Sequence, residues 1–238
     1  MLSEFKLKMK KKRFKGDVDK KNLGASYNYK AIIFDLDGTL INSLPYHVLA
    51  FKDLMIERGI RIPEKELQKL MGIPTVEIFR ELRKKYKFDK SIEDLREERR
   101  YHYFKFLGLK NIVFPGVMKT LRKLQIKYKL ALATGSSYVT YTHSTDKDFQ
   151  NLFDMSVTSN EVKHGKPAPD QFLLCAKKLK VKACECLVVG DSIYDAVAAE
   201  RAGMDFIGTR TGYNKNHTLL KNGAIKTINN IPELLKII

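Results

Sequence analysis

Five short, largely apolar runs constrain this chain more than any other feature: residues 31–34, 130–133, 155–157, 186–189 and 206–208. Each stops at a glycine or a polar residue, and stretches with helical spacing lie between them, at 116–126, 169–179 and 193–202. Runs of that length with no polar alternation fit strands buried on both faces. Strand and helix in alternation predict a doubly wound α/β fold around a parallel sheet with right-handed crossovers. A final strand near Ile225 and a helix over 232–238 are the remaining candidates.

One connection breaks the rhythm. The stretch between the first and second runs is far longer than an ordinary βα loop. It reads as four helices, at 46–58, 64–71, 76–86 and 92–107, punctuated by Gly59, Pro63, Gly72 and Pro74. Phe114-Pro115-Gly116 marks the return to the sheet. The expected organisation is therefore a catalytic core over 29–44 and 115–238, a helical cap over 45–114, and a basic, disordered N-terminal arm over 1–28.

That arm contains the densest charge, with Lys10, Lys11, Lys12 and Arg13 consecutive. The whole chain carries 44 Lys and Arg against 27 Asp and Glu, a net charge of +17. Such an excess favours anionic partners, either phosphorylated substrates or nucleic acid. The spread of basic residues over the whole chain also fits a solvated surface. No apolar run approaches the ~18 residues of a membrane span, and no secretory signal is visible. Cys175, Cys184 and Cys186 are too few for a four-ligand zinc site by themselves and read as reduced thiols of a cytoplasmic protein.

Chemistry gathers at the ends of the apolar runs. Asp35-Leu36-Asp37-Gly38-Thr39 follows the first run. Strand alternation would part the two carboxylates, and Gly38 lets the chain turn so that both reach one crevice. Thr134-Gly135-Ser136-Ser137 follows the second run and offers a hydroxyl and backbone N–H groups ahead of a helix, an anion site. Lys166 sits in a loop fixed by Gly165, Pro167 and Pro169. Asp191 and Asp195 follow the fourth run, four residues apart, on one face of a helix start. Clustered carboxylates and a lysine suit a hard cation such as Mg2+ and a phosphoryl group. Asp35 would attack phosphorus, and Asp37 would protonate the leaving group and then deprotonate water.

With these four segments in this order, the chain resembles the haloacid dehalogenase superfamily, in its β-phosphoglucomutase-like and phosphoglycolate phosphatase-like branch, from about Tyr29 to Gly208. The resemblance implies Asp35 as nucleophile and Asp37 as general acid/base. It implies Thr134, Gly135 and Lys166 as phosphate-binding residues. For the metal it implies Asp191, the Asp35 carboxylate and the Asp37 backbone carbonyl, with Asp195 supporting Asp191 or touching a water on the ion. His47, twelve residues after Asp35, matches a histidine of the mutases that helps control proton transfer. Thr75 stands where those mutases have an arginine for the distal phosphate, which favours a hydrolase; Arg99 or Arg100 are the candidate substitutes.

Other readings stand beside these roles. Thr134, Ser136 and Ser137 could be helix caps, Asp195 a helix-terminus residue, His47 a helix-surface residue, and His164 a shaper of its loop. The function expected is a magnesium-dependent phosphatase of a small phosphomonoester, working through an aspartyl-phosphate. The alternatives are a sugar-phosphate mutase, and a nucleic-acid-associated or scaffold protein using the basic arm.

Overall fold

The computed structural model describes residues 28–238, so the expected basic arm lies outside the described residues except for Asn28. Among the described residues, six parallel strands form one sheet in the order β3-β2-β1-β4-β5-β6. They are β1 (Ala31–Phe34), β2 (Lys129–Ala133), β3 (Met155–Val157), β4 (Cys186–Gly190), β5 (Asp205–Thr209) and β6 (Lys226–Ile228). The chain runs outward from β1 through β2 to β3, then returns to β4 on the other side of β1. The strand order therefore reverses between β1 and β4, and the crevice above their C-terminal ends is where an open α/β sheet places a ligand.

Every residue of β1 is fully buried, because helices cover both faces of the sheet. Ile32 and Phe34 face one layer, with Leu130, Leu132, Leu187 and Val189. Ala31 and Ile33 face the other, with Val188, Phe172 and Ala199. Each large side chain buried this way stabilises the fold by roughly 1.5–3 kcal/mol.

The first four of the helices that lie between β1 and β2 are α1 (Leu44–Ile56), α2 (Glu64–Leu70), α3 (Thr75–Lys85) and α4 (Ile92–Leu107). They enclose an apolar cluster of their own, including Phe51, Leu54, Leu67, Phe79 and Leu95. Helix α1 begins two residues before the sequence pattern suggests, because Pro45 fits the first turn, where an N–H is unpaired anyway. Past its end, Gly59 takes a positive φ of 69°.

The core continues with α5 (Val117–Leu124), α6 (Tyr138–Ser144), α7 (Lys147–Gln150), α8 (Asp170–Leu179), α9 (Ile193–Ala202) and α10 (Asn216–Lys221). The strand expected near Ile225 is β6, and the C-terminal helix is a short 3-10 turn over Ile231–Lys236. Cys175 and Cys186 are buried, Cys184 is exposed, and all three are free. Among the described residues no helix is long and apolar enough to cross a membrane.

Candidate active site

The site grows from the ends of β1 and β4. The Asp35 N–H donates to the Val189 carbonyl at 2.9 Å, so Asp35 still follows the line of the sheet. The chain then turns at Gly38, with φ at 85°. A Cβ there would lie 2.6 Å from Leu44 Cδ1 and 2.9 Å from Asp191 Oδ2, so this turn requires glycine for space as well as for conformation.

Asp35 is 7% exposed. Its Oδ1 accepts from Lys166 Nζ at 2.6 Å and its Oδ2 from Thr39 Oγ1 at 3.1 Å. Burial pushes its carboxyl up to about 7 against the pull of Lys166, with Asp195 and Asp37 adding to the rise. Lys166 is held from three sides, by Asp35, by Asp195 Oδ1 at 2.8 Å and by the Ala133 carbonyl at 2.8 Å. Burial opposes its charge, but the two carboxylates outweigh burial and raise its pKa above the ordinary lysine value.

Asp37 lies in a different environment. Its Oδ1 accepts from Ser43 Oγ at 2.7 Å and faces His47 Nε2 at 3.1 Å. Its Oδ2 accepts from Ser136 Oγ at 2.8 Å and from Thr134 Oγ1 at 3.2 Å. Burial works against the charge here too, but the bonds from His47, Ser43 and Ser136 prevail and hold the carboxyl well below the usual range. His47 is buried, stacked on Tyr103 at 4.2 Å between ring centres, with Arg99 Nη1 2.8 Å from its Nδ1. Burial and the Arg99 charge push His47 toward the neutral imidazole, against Asp37. A guanidinium cannot accept a hydrogen bond, so Nδ1 is the acceptor and Nε2 carries the proton donated to Asp37.

Asp35, Asp191 and Asp195 bring carboxylate oxygens within 4.8 Å of one another, all buried. Burial, with Asp35 and Asp195 beside it, raises Asp191 well above the usual carboxylate range. Thr39 Oγ1 donates to its Oδ1 at 3.0 Å. The backbone of Gly212 closes over the same carboxylate: a Cβ at Gly212 would lie 1.8 Å from Asp191 Oδ2. Thr211 Oγ1 ties that loop to the Gly38 carbonyl at 2.5 Å. Hard oxygen donors crowded together with too little positive charge among them fit a hard divalent cation.

Asp35, Asp37, Thr134, Lys166, Asp191 and Asp195 thus come together above the ends of β1, β2 and β4, while Gly135 lies beside Thr134, exposed. His47 joins them through Asp37 and is not a helix-surface residue. Several details differ from the sequence reading. Asp191 precedes α9, so it and Asp195 do not share a helical face. Asp195 caps that helix through Ser192 and also binds Lys166. Thr134 and Ser136 cap no helix and turn to Asp37, whereas Ser137 caps α6. The side chain of Asp37 is engaged by its four donors and is not among the three clustered carboxylates. His164 pairs with Asp170 at the surface. Thr39, Ser43, Gly212 and Arg99 are further members of the constellation. In the sequence Thr39 is part of the first motif without a role of its own, Ser43 and Gly212 carry no motif, and Arg99 has no fixed place.

A family model of haloacid dehalogenase-like hydrolases matches residues 32–209. The fructose-1-phosphate phosphatase of Escherichia coli is 29% identical over 183 residues, 76% of this chain and 97% of that protein. A phosphorylated carbohydrates phosphatase of Thermotoga maritima is 30% identical over 205 residues, 84% of this chain and 94% of that one. Among solved structures, the β-phosphoglucomutase of Clostridium difficile is similar at a TM-score of 0.74 and 26% identity, with 87% of this chain and 93% of that chain covered.

Proposed function

The chain belongs to the haloacid dehalogenase-like hydrolase family, and we propose that it is a magnesium-dependent phosphatase that hydrolyses a small phosphomonoester through an aspartyl-phosphate on Asp35. The observation that carries this reading is the split between two neighbouring carboxylates. Asp35 is pressed against Lys166 with its pKa raised, and Asp37 is ringed by four donors with its pKa lowered. Two carboxylates in unlike environments can take unlike roles.

Asp35 attacks phosphorus and the ester bond breaks, leaving the phosphoryl group on its carboxylate. Asp37 in its acid form gives a proton to the leaving oxygen. Its conjugate carboxylate then takes a proton from the water that attacks the aspartyl-phosphate, and inorganic phosphate leaves. The four donors on Asp37 favour the carboxylate form that the second half requires. Thr134 and the Gly135 backbone orient the phosphoryl oxygens, and Lys166 supplies fixed positive charge beside them. Asp35 and Asp191 would hold magnesium, with Asp195 adjacent. When bound, that ion supplies further positive charge against the phosphoryl oxygens.

The helical insert opens directly after the nucleophile segment and acts as the cap. Its α2–α3 link lies against the core: a Cβ on Gly72 would be 3.1 Å from Ser192 Cβ, and one on Gly165 3.3 Å from Pro74 Cγ. A covered site excludes bulk water and favours small esters over phosphoproteins or duplex nucleic acid. The relatives named for fructose 1-phosphate and phosphorylated carbohydrates support a small phosphorylated metabolite as substrate. His47 on Asp37 and the similarity to a β-phosphoglucomutase support a mutase as second reading.

The test is phosphate release from a panel of small phosphomonoesters, with magnesium and with chelator. Magnesium-dependent turnover that Asp35→Asn abolishes is the expected result, with acid-stable label on the wild-type chain absent from the variant. Turnover that survives Asp35→Asn would overturn the mechanism. Interconversion of sugar phosphates in place of release would favour the mutase.

A further inference from the structure

We infer that Gln171 is a positioning residue of the phosphoryl-binding loop: its side-chain amide holds the Thr134–Gly135 peptide in the orientation that presents the Gly135 N–H to a phosphoryl oxygen. This rests on the phosphatase reading for the Gly135 backbone as a phosphoryl donor.

Gln171 lies in the first turn of α8 and is fully buried. Its Nε2 donates to the Thr134 carbonyl at 2.6 Å, and its Oε1 is buried with no partner among the described residues. Burying a primary amide costs free energy unless hydrogen bonds offset it, and an apolar side chain would avoid that cost. What the amide secures in return is the carbonyl of Thr134.

The peptides on either side are fixed without Gln171. The Ala133 carbonyl accepts from Lys166 Nζ at 2.8 Å, and the Thr134 N–H donates to the Val157 carbonyl at 3.0 Å. The Ser136 N–H donates to Thr134 Oγ1 at 3.0 Å. Among the described residues, the Thr134–Gly135 peptide between them is held by Gln171 alone. That peptide is trans and planar, so its C=O and N–H point in opposite directions. With the carbonyl turned to α8, the N–H of the exposed Gly135 is turned away from α8.

Glycine makes this bond necessary. Gly135 has a negative φ, and a Cβ there would meet nothing within 4 Å, so neither conformation nor space excludes a side chain. A half-turn of the peptide would put the carbonyl oxygen where the N–H now points and carry Gly135 to a positive φ, which glycine accepts and other residues resist. An oxygen in that place would repel a phosphoryl oxygen. Gln171 opposes the rotation that the glycine leaves open.

The experiment is a titration of the magnesium-loaded protein with inorganic phosphate, read by the NMR shift of the Gly135 amide proton and by calorimetry. In wild type that proton is expected to move downfield as phosphate binds. In Gln171→Met the movement is expected to be largely lost and phosphate affinity to fall about 10-fold, the range of a hydrogen bond to a charged group, with magnesium affinity unchanged. Adding Gly135→Ala to Gln171→Met is expected to restore part of both, because alanine resists the positive φ of the turned peptide. A thermal melt confirms that each variant is folded, and Gln171→Leu carries the test if Gln171→Met is not. A glutamine that only satisfies a buried carbonyl would, when replaced, lower the melting temperature and leave the Gly135 shift and phosphate affinity as in wild type; that result would overturn the inference. So would a wild-type Gly135 proton that does not respond to phosphate. Absence of phosphate release from every ester, with the Gly135 response intact, would count against the phosphatase reading alone.

Discussion

Lys166 shows at the level of single residues how closely this site is balanced. Its ammonium lies between Asp35 and Asp195, 6% exposed at the side chain. Lys166→Met would strand two buried carboxylates, and breaking a buried pair in this way costs about 3–5 kcal/mol. The loss should be larger at pH 8 than at pH 5. Asp35 already titrates near 7, and below that value it sheds its charge by taking a proton. Urea unfolding at the two pH values checks this, and an equal loss at both would mean that the charge of Asp35 is not the cause. Asp35 was legible in the sequence because it lies just past the end of an apolar run, where a strand must deliver it, and Lys166 because a glycine and two prolines fix its loop. Arg99 was not, since its position depends on how α4 packs against α1 far from any strand end. Ser136 and Ser137 are adjacent hydroxyls, and spacing alone does not tell which of them turns to Asp37 and which caps α6.

Secondary-structure elements were legible to different degrees for physical reasons. Strands buried on both faces leave unbroken apolar runs, so β1 and β3 lie where the pattern puts them. Helices α6, α7 and α10 have seven, four and six residues, too short to show a full apolar stripe. The loop after β5 is the least legible part, because its contribution is backbone rather than side chain. Gly212 there leaves no room for a methyl group beside Asp191 Oδ2, and Thr211 anchors it to the turn at Gly38. Gly212→Ala should therefore displace either the loop or the Asp191 carboxylate. A misplacement of that size should lower kcat/KM by about 100-fold. Measured magnesium affinity should fall with it. A Gly212→Ala protein with wild-type magnesium affinity would show that the loop yields without moving Asp191.

Over the whole molecule, the buried carboxylates couple metal, pH and stability. An unfolded aspartate releases its proton near pH 4. Folded Asp35 holds its proton to about 7, and Asp191 is also raised. Between those values folded Asp35 binds more protons than unfolded Asp35, so it makes stability fall as pH rises from about 4 to about 7, and the raised Asp191 acts in the same direction. Asp37 acts in the opposite sense: its lowered pKa gives stability that is present above about 4 and lost as pH falls below that. Lys166, with its pKa raised, keeps its contribution throughout this range and loses it only as pH rises beyond the ordinary lysine value. The net charge of +17 also makes stability depend on pH through general repulsion, so a melting temperature at one condition does not isolate the site. The magnesium-induced shift in Tm does. Magnesium competes with protons for Asp35 and Asp191, so the shift should be clearly larger at pH 8 than at pH 5.5. Asp191→Asn should make it small at both values, because the variant lacks one of the two carboxylates for which the ion and the proton compete. A shift of equal size at both pH values in the wild-type protein would place magnesium on groups other than these buried carboxylates.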